Sequence, residues 1–406
     1  MAAVGKFRTA VGLTGGRVLT WSLFGRLPAA MAPIGTLLMV SQQTGSVWRG
    51  SAVTGALALG QAVGGPLVGR AADRRGQRRI GLPAAAVNTL ALLALVAASQ
   101  FDAALGLQLL IAATAGLSVP AVGPLSRSRW LWLAEGKAEQ TSAALWLDGL
   151  IDEISFTTGP AIIGLLAALF APAAGMLLAA ALVGCCATLF ALHPTAPPGA
   201  VVTATRPALS APVRLLTVPY VLLLAGMALL GVGFGSIQVG VTATTVHLGH
   251  PGTAGLIYGL MGGVSACSGI AMAALPTRFD LPARLRAGTV LLLAATLLLP
   301  LIGDTLGGLA VAVGCVGLAI APQMITMFGL VERTVPGARL GEAMAGLVSS
   351  ITLAQSAGTV LAGWAADVGG PAAPFGVSCG AAGAALLLAA TTATARRYAQ
   401  PAGVIA

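Results

Sequence analysis

The sequence predicts an all-α integral membrane protein of twelve spans, and three observations carry that expectation. Hydrophobic residues make up 57% of the 406 positions and charged residues only 8%, whereas a soluble domain carries about 25% charge. Mean hydropathy is +0.91, and the apolar residues gather into stretches near the ~20 residues needed to cross a bilayer. The basic residues fall into alternate gaps between those stretches. Such one-sidedness marks a multi-pass protein. It also excludes the nucleic-acid partner that a net charge of +10 would otherwise invite.

The twelve expected spans are 19–40, 48–70, 79–99, 103–126, 141–167, 172–192, 219–241, 253–275, 284–303, 307–331, 341–366 and 372–395. On one side lie Lys6, Arg8 and Arg17 in the amino-terminal tail. Arg70, Arg74, Arg75, Arg78 and Arg79 follow in gap 2–3, and Arg127, Arg129 and Lys137 in gap 4–5. Arg206 and Arg214 lie in the central gap, Arg278, Arg284 and Arg286 in gap 8–9, Arg333 and Arg339 in gap 10–11, and Arg396 and Arg397 in the carboxyl tail. Of the 22 basic residues, only Arg26 and Arg49 fall elsewhere. Both termini are therefore expected to be cytoplasmic, with an even span count. No cleavable signal peptide is expected, because the basic tail runs into a full-length span. The five cysteines (Cys185, Cys186, Cys267, Cys315 and Cys379) all fall in spans without metal-ligand spacing and read as packing residues.

Span 1 carries Phe24 and Arg26, the latter read as the one basic residue well inside a span. At ~1.5 Å per residue it lies about 10 Å from the inner end. Span 2 runs into Gly69, Asp73, Arg74, Gly76, Arg78 and Arg79. Glycines there permit a tight turn, an aspartate at a turn can cap a neighbouring helix, and the arginines suit an anionic leaflet. This run resembles the loop 2–3 signature of the major facilitator superfamily, Gly-x-x-x-Asp-Arg-x-Gly-Arg-Arg, with Gln77 in place of the first basic residue after the second glycine. The resemblance implies two pseudo-symmetric six-helix bundles around a cavity lined by spans 1, 4, 7 and 10. It also implies a gating role for Asp73 at the start of span 11. Span 4 holds Pro120 and Pro124, so a kink is expected. No arginine lies between Ala103 and Ser126, where drug–proton antiporters of the superfamily usually carry one.

Span 5 organises the reading. Asp148, Asp152 and Glu153 stand inside an otherwise apolar segment. A carboxylate in hydrocarbon costs about 2.5–3.5 kcal/mol on insertion scales, so such acids face a partner or a watery cavity. Asp148 and Asp152, four apart, share a helix face, and Glu153 points about 100° away. Arg26 is expected to pair with Asp148 or Asp152, leaving Glu153, the deepest acid, to titrate. Gly159, Pro160 and Gly164 follow, similar to the Gly-Pro-x-x-Gly-Gly antiporter signature with the second glycine of its closing pair one position early or absent. That partial match favours export over uptake.

Residues 193–218 contain five prolines and read as an extended linker. The domains are thus 1–192, a linker at 193–218, and 219–406. Phe24-Gly25 recurs as Phe234-Gly235, Gly50 and Gly64 as Gly255 and Gly269, and Gly159 and Gly164 as Gly358 and Gly363, an internal repeat of one six-span plan. The charges do not recur: Arg26 maps to Ser236, and Asp148, Asp152 and Glu153 map to Leu347, Ile351 and Thr352. The second half offers neutral groups, Ser236, Gln238, Gln323 and Gln355, for a substrate or for helix contacts. With Phe24 and Phe234, the first three make up the expected cavity lining. His247 and His250 lack an acid or cysteine for a metal. Glu332, Arg333, Arg339 and Glu342 read as gate contacts before span 11 or as a solvated group. No phosphate-binding Gly-Lys-Ser/Thr run or nucleophile–base set appears, so neither ATP drive nor enzymatic activity is expected. The reading is a monomeric, proton-driven exporter of a small amphiphilic drug or metabolite in a bacterial inner membrane, needing no cofactor. The alternative is uptake or facilitated diffusion of a nutrient.

Overall fold

A computed structural model describes residues 11–134, 137–199, 216–273, 280–335 and 339–398 of the chain. Lys6, Arg8, Arg206, Arg214, Arg278 and most of the expected linker lie outside the described residues. The described residues form helices and no strands. Twelve of those helices are long and apolar enough to cross a membrane. Spans 1 to 6 are Gly16–Thr44, Val47–Arg75, Gln77–Gln100, Leu105–Leu133, Ala143–Leu169 and Pro172–Leu192. Spans 7 to 12 are Val218–His247, Thr253–Met272, Leu281–Ile302, Leu306–Thr334, Glu342–Gly369 and Ala373–Ala390. The chain divides into two compact units, Met1–Ala208 with Thr245–Gly259, and Leu209–Thr244 with Leu260–Ala406.

Inside the first unit, glycines set how closely helices approach. Gly60 and Gly64 of span 2 stand four apart and face Ala113 to Leu117 of span 4. A Cβ on Gly116 would lie 2.1 Å from the Leu57 carbonyl oxygen, and one on Gly64 2.3 Å from that of Leu117. This is small-xxx-small packing, in which backbones touch because no side chain intervenes. The turn between spans 1 and 2 is equally local. Gly45 closes span 1 at φ +66°, and the Ser46 hydroxyl accepts the Arg49 N–H at 3.2 Å to cap span 2.

Span 4 is broken. Its helix stops at Leu117 and restarts at Val122, with Ala121 at φ +48°. Pro120 lacks an N–H and turns the residue before it away from helical geometry. Pro124 falls in the first turn of the second segment, where a missing donor costs nothing. That second segment runs to Leu133, which corrects the expected end at 126. Arg127 and Arg129 therefore belong to span 4 and not to a loop, so Arg26 is not the only arginine inside a span. Span 6 contains a π-turn at Val183–Ala187, a widened turn that carries the Ala187 backbone against Gly25 of span 1.

The second unit repeats the glycine device on different spans. Gly231 and Gly235 of span 7 face span 11, where a Cβ would lie 2.2 Å from the Ile351 carbonyl oxygen and 2.3 Å from that of Gln355. Part of the repeat read from the sequence is also a repeat of contacts. Gly159 of span 5 packs on Leu27, Ala30 and Met31 of span 1, as its counterpart Gly358 of span 11 packs on Val232 of span 7.

Candidate functional site

Four charged side chains from three spans of the first unit close into one ring. Arg26 NH1 donates to Asp152 Oδ1 at 2.7 Å and to the Asp148 carbonyl at 3.1 Å, and its NH2 donates to Asp148 Oδ1. Arg127 binds the opposite oxygens of the same two acids, Nε to Asp148 Oδ2 at 3.1 Å and NH2 to Asp152 Oδ2 at 3.0 Å. Asp148 and Asp152 reach both arginines because four residues of helix put them one above the other. Gly123, just past the break in span 4, faces the ring, where a Cβ would make ordinary contact 3.4 Å from Asp152 Oδ1. The Asp148 side chain is 0% exposed and that of Arg26 4%, against 32% for Asp152 and 51% for Arg127. Hydrogen bonds to opposite charges offset the cost of burying such ions: each carboxylate here accepts from two guanidinium groups, while the buried Arg26 Nε has no hydrogen-bond partner among the described residues. The ring is electrically neutral. Glu153 is exposed on an adjoining face, and among the described residues no cation stands within ion-pair distance of it.

The gap 2–3 signature folds into less loop than the sequence implied. Span 2 stays helical through Asp73, Arg74 and Arg75, and span 3 begins at Gln77. The turn is Gly76 alone, at φ +96°, a conformation natural to glycine. Gly69 lies mid-helix with open space around it and plays no part in the turn. Asp73 is half-buried, and Arg74, Arg78 and Arg79 are exposed. Gln77, the departure from the signature, is 2% exposed. Its Nε2 donates to the Leu125 carbonyl at 2.8 Å, and its Oε1 accepts from Arg129 Nε at 3.0 Å and NH2 at 2.8 Å. Arg129, 1% exposed, also donates to the Phe190 carbonyl at 3.0 Å and lies 3.8 Å above the Phe190 ring. A buried cation is thus held by an amide, a carbonyl and a ring face, without a carboxylate partner among the described residues.

The start of the linker docks on this cluster. Arg129 NH1 donates to Thr195 Oγ1 at 3.4 Å, the His193 Nδ1 lies 2.8 Å from the same hydroxyl, and the His193 ring meets Trp21 edge to face at 5.6 Å. Burial, then the Arg129 and Arg17 charges, hold the His193 pKa below its ordinary value. Folding therefore favours the neutral imidazole. Its contribution is complete above the unfolded value of about 6.5 and is lost as pH falls below it. Thermal melts of purified protein between pH 7.5 and about 5 should show a decline that His193→Gln flattens. Parallel pH profiles for the two proteins would contradict this assignment.

A family profile for the Major Facilitator Superfamily matches residues 19–329. The chain belongs to the major facilitator superfamily. Solved structures of this fold align over nearly the whole chain at low identity. The nucleoside transporter NupG matches with a TM-score of 0.72 at 14% identity, covering 94% of this chain and 98% of its own. The human organic anion transporter MFSD10 (TETRAN) matches with a TM-score of 0.63 at 19% identity, covering 94% and 99%. A variant of the peptide transporter POT matches with a TM-score of 0.69 at 16% identity, covering 95% and 94%. At these identities the likeness is one of fold. No curated protein matches the sequence. This facilitator is accordingly a multi-pass membrane transporter.

In this facilitator Gly164 faces Gly252, Gly255 and Leu256, which belong to the same unit, and a Cβ on Gly255 would lie 2.3 Å from the Pro160 carbonyl oxygen. Glu153, Thr157, Pro160 and Gly164 follow one helix stripe, so the unpaired acid stands at the foot of this close contact. Phe24 is exposed in the first unit. The neutral groups of the second unit are spread through its interior. Ser236 is 0% exposed and donates to the Gly233 carbonyl at 3.0 Å, while Gln238 and Gln323 are each 1% exposed. Phe234 is half-buried and lines a small cavity with Ile237 and Thr296. Arg339 and Glu342 pair at 2.8 Å on the surface.

Proposed function

We propose that this facilitator exports a small amphiphilic compound, a drug or a metabolite, in exchange for protons, and that Glu153 carries the proton. The observation that supports this reading is the division of labour among the three acids of span 5. Asp148 and Asp152 are each held by two arginines. Glu153 is left without such a partner, beside a contact where span 5 touches the segment Gly252–Gly259 backbone to backbone. A carboxyl alternately hydrated and desolvated changes its proton occupancy, and that is a physical route from a proton gradient to a conformational cycle. The gradient is the only drive required. The setting is a bacterial inner membrane with both termini cytoplasmic, as the basic residues favour, and the acting species is a monomer. The apolar composition suits an amphiphile better than a sugar. The absence of an arginine between Ala103 and Ser126 and the incomplete signature at Gly159 to Gly164 are the features that favour the other reading, uptake or facilitated diffusion of a nutrient.

A susceptibility panel tests the proposal. An efflux-deficient bacterium expressing the wild type should tolerate some antibiotics or dyes better than the empty strain. Glu153→Gln at equal expression should lose that protection. Sensitisation by the wild type would point to uptake, and protection retained by Glu153→Gln would remove the proton from Glu153 while leaving export standing.

A further inference from the structure

The second unit contains a buried amide that the protein itself leaves unsatisfied. Gln323 of span 10 is 1% exposed, and neither its Oε1 nor its Nε2 has a hydrogen-bond partner among the described residues. Its side chain lines a cavity with Leu222, Gly226, Thr289, Met327 and Ala389, which leaves about 20 Å³ in which the centre of a water-sized molecule can move.

The internal repeat explains why the cavity is there. Pro124 of span 4 corresponds to Pro322 of span 10, and Pro172 at the start of span 6 to Pro371 just before span 12. In that register Arg129 corresponds to Met327, and Phe190 to Ala389. The first unit fills the site with the Arg129 guanidinium stacked on the Phe190 ring, tied to span 3 through Gln77. The second unit has neither the guanidinium nor the ring, and Met327 with Ala389 leaves space between spans 7, 9, 10 and 12. No charged residue lines that space, so neither an ion nor an acidic ligand finds a counter-charge.

We propose that this cavity binds one water molecule, hydrogen-bonded to the Gln323 amide and to Thr289. A water needs roughly 10–15 Å³ of such space and two to four polar partners. The Gln323 amide offers an acceptor and two donors. The Thr289 hydroxyl, which donates to the Leu285 carbonyl at 2.7 Å, keeps lone pairs to accept. Without the water the amide would bear the full cost of burial unpaired. The water sits one residue from Pro322, where the backbone ladder of span 10 already lacks a donor.

Radiolytic hydroxyl-radical footprinting of the purified full-length protein, read by mass spectrometry at methionine, tests this without reference to transport. Radicals form from the water itself, so a buried methionine beside a bound water oxidises and a dry one does not. Met327 is 3% exposed, and Met31 and Met227 are 0% exposed. Met327 should oxidise several-fold faster than Met31 and Met227, and Gln323→Leu should bring it down to their rate. Thr289→Val should lower it as well, and supplies the comparison if Gln323→Leu does not fold. Equal slow rates at all three methionines in the wild type would overturn the proposal. So would a fast Met327 rate that neither substitution changes, because the water would then be passing solvent.

Discussion

Arg26→Leu destabilises the first unit by about 3–5 kcal/mol, the cost of breaking a buried ion pair from one side. The expectation rests on the inequality of the four ring members. Arg26 and Asp148 are almost wholly out of solvent, whereas Arg127 is half in it. Removing Arg26 leaves the Asp148 carboxylate with one partner and a vacated buried space. Removing Arg127 leaves both acids on Arg26 and costs about 0–1 kcal/mol, as an exposed pair does. Arg26→Leu with Asp148→Leu takes out the buried charges together and leaves Arg127 with Asp152, so the double variant should recover most of the loss. Thermal unfolding of the purified protein in detergent reads all four. Equal losses for Arg26→Leu and Arg127→Leu would show that burial does not rank the ring.

Gly116→Leu should leave little folded protein in the membrane. Ordinary overpacking costs about 1–3 kcal/mol because side chains can shift. Here the new atoms would meet backbone, the Leu57 carbonyl at 2.1 Å and the Gln61 nitrogen at 2.7 Å, and neither can rotate away. Spans 2 and 4 would have to separate along the Gly60 to Gly64 face, losing the packing that holds helices together in lipid. Gly65→Leu, one residue along span 2 with open space around it, should fold normally. Fluorescence-detected size exclusion of tagged variants separates the two, and a sharp monodisperse peak for Gly116→Leu would contradict the close contact.

The spans and the repeat were legible in the sequence because hydropathy and glycine spacing are local signals. The inner end of span 4 was not. Two arginines among Ser126 to Trp130 end an apolar window, and a window cannot register that both charges are answered from elsewhere. Arg127 is paired with acids about twenty residues on, and Arg129 is held by an amide about fifty residues back and a ring about sixty on. Gln77 was legible only as a departure from a signature. Its buried amide has meaning once Arg129 is known to lie inside the helix. Pairing between Arg26 and span 5 could be anticipated because each was the conspicuous charge in its own span. Selecting one aspartate was beyond a one-dimensional reading, and the structure gives Arg26 both.

The break in span 4 has a consequence for biogenesis. The two pieces, Leu105–Leu117 and Val122–Leu133, are 13 and 12 residues long, and neither alone reaches the ~20 residues that cross a bilayer. The second piece brings in two arginines, each costing about 2.5–3.5 kcal/mol at mid-membrane on translocon scales. When span 4 leaves the ribosome, the aspartates that pair with Arg127 are still inside the exit tunnel, and Phe190 has not yet been synthesised. The inner end of span 4 is therefore expected to settle less readily on its own than once span 5 has arrived with Asp148 and Asp152. Spans 4 and 5 are accordingly expected to enter the lipid together, and glycosylation mapping of truncated nascent chains should show span 4 held less firmly until span 5 is included.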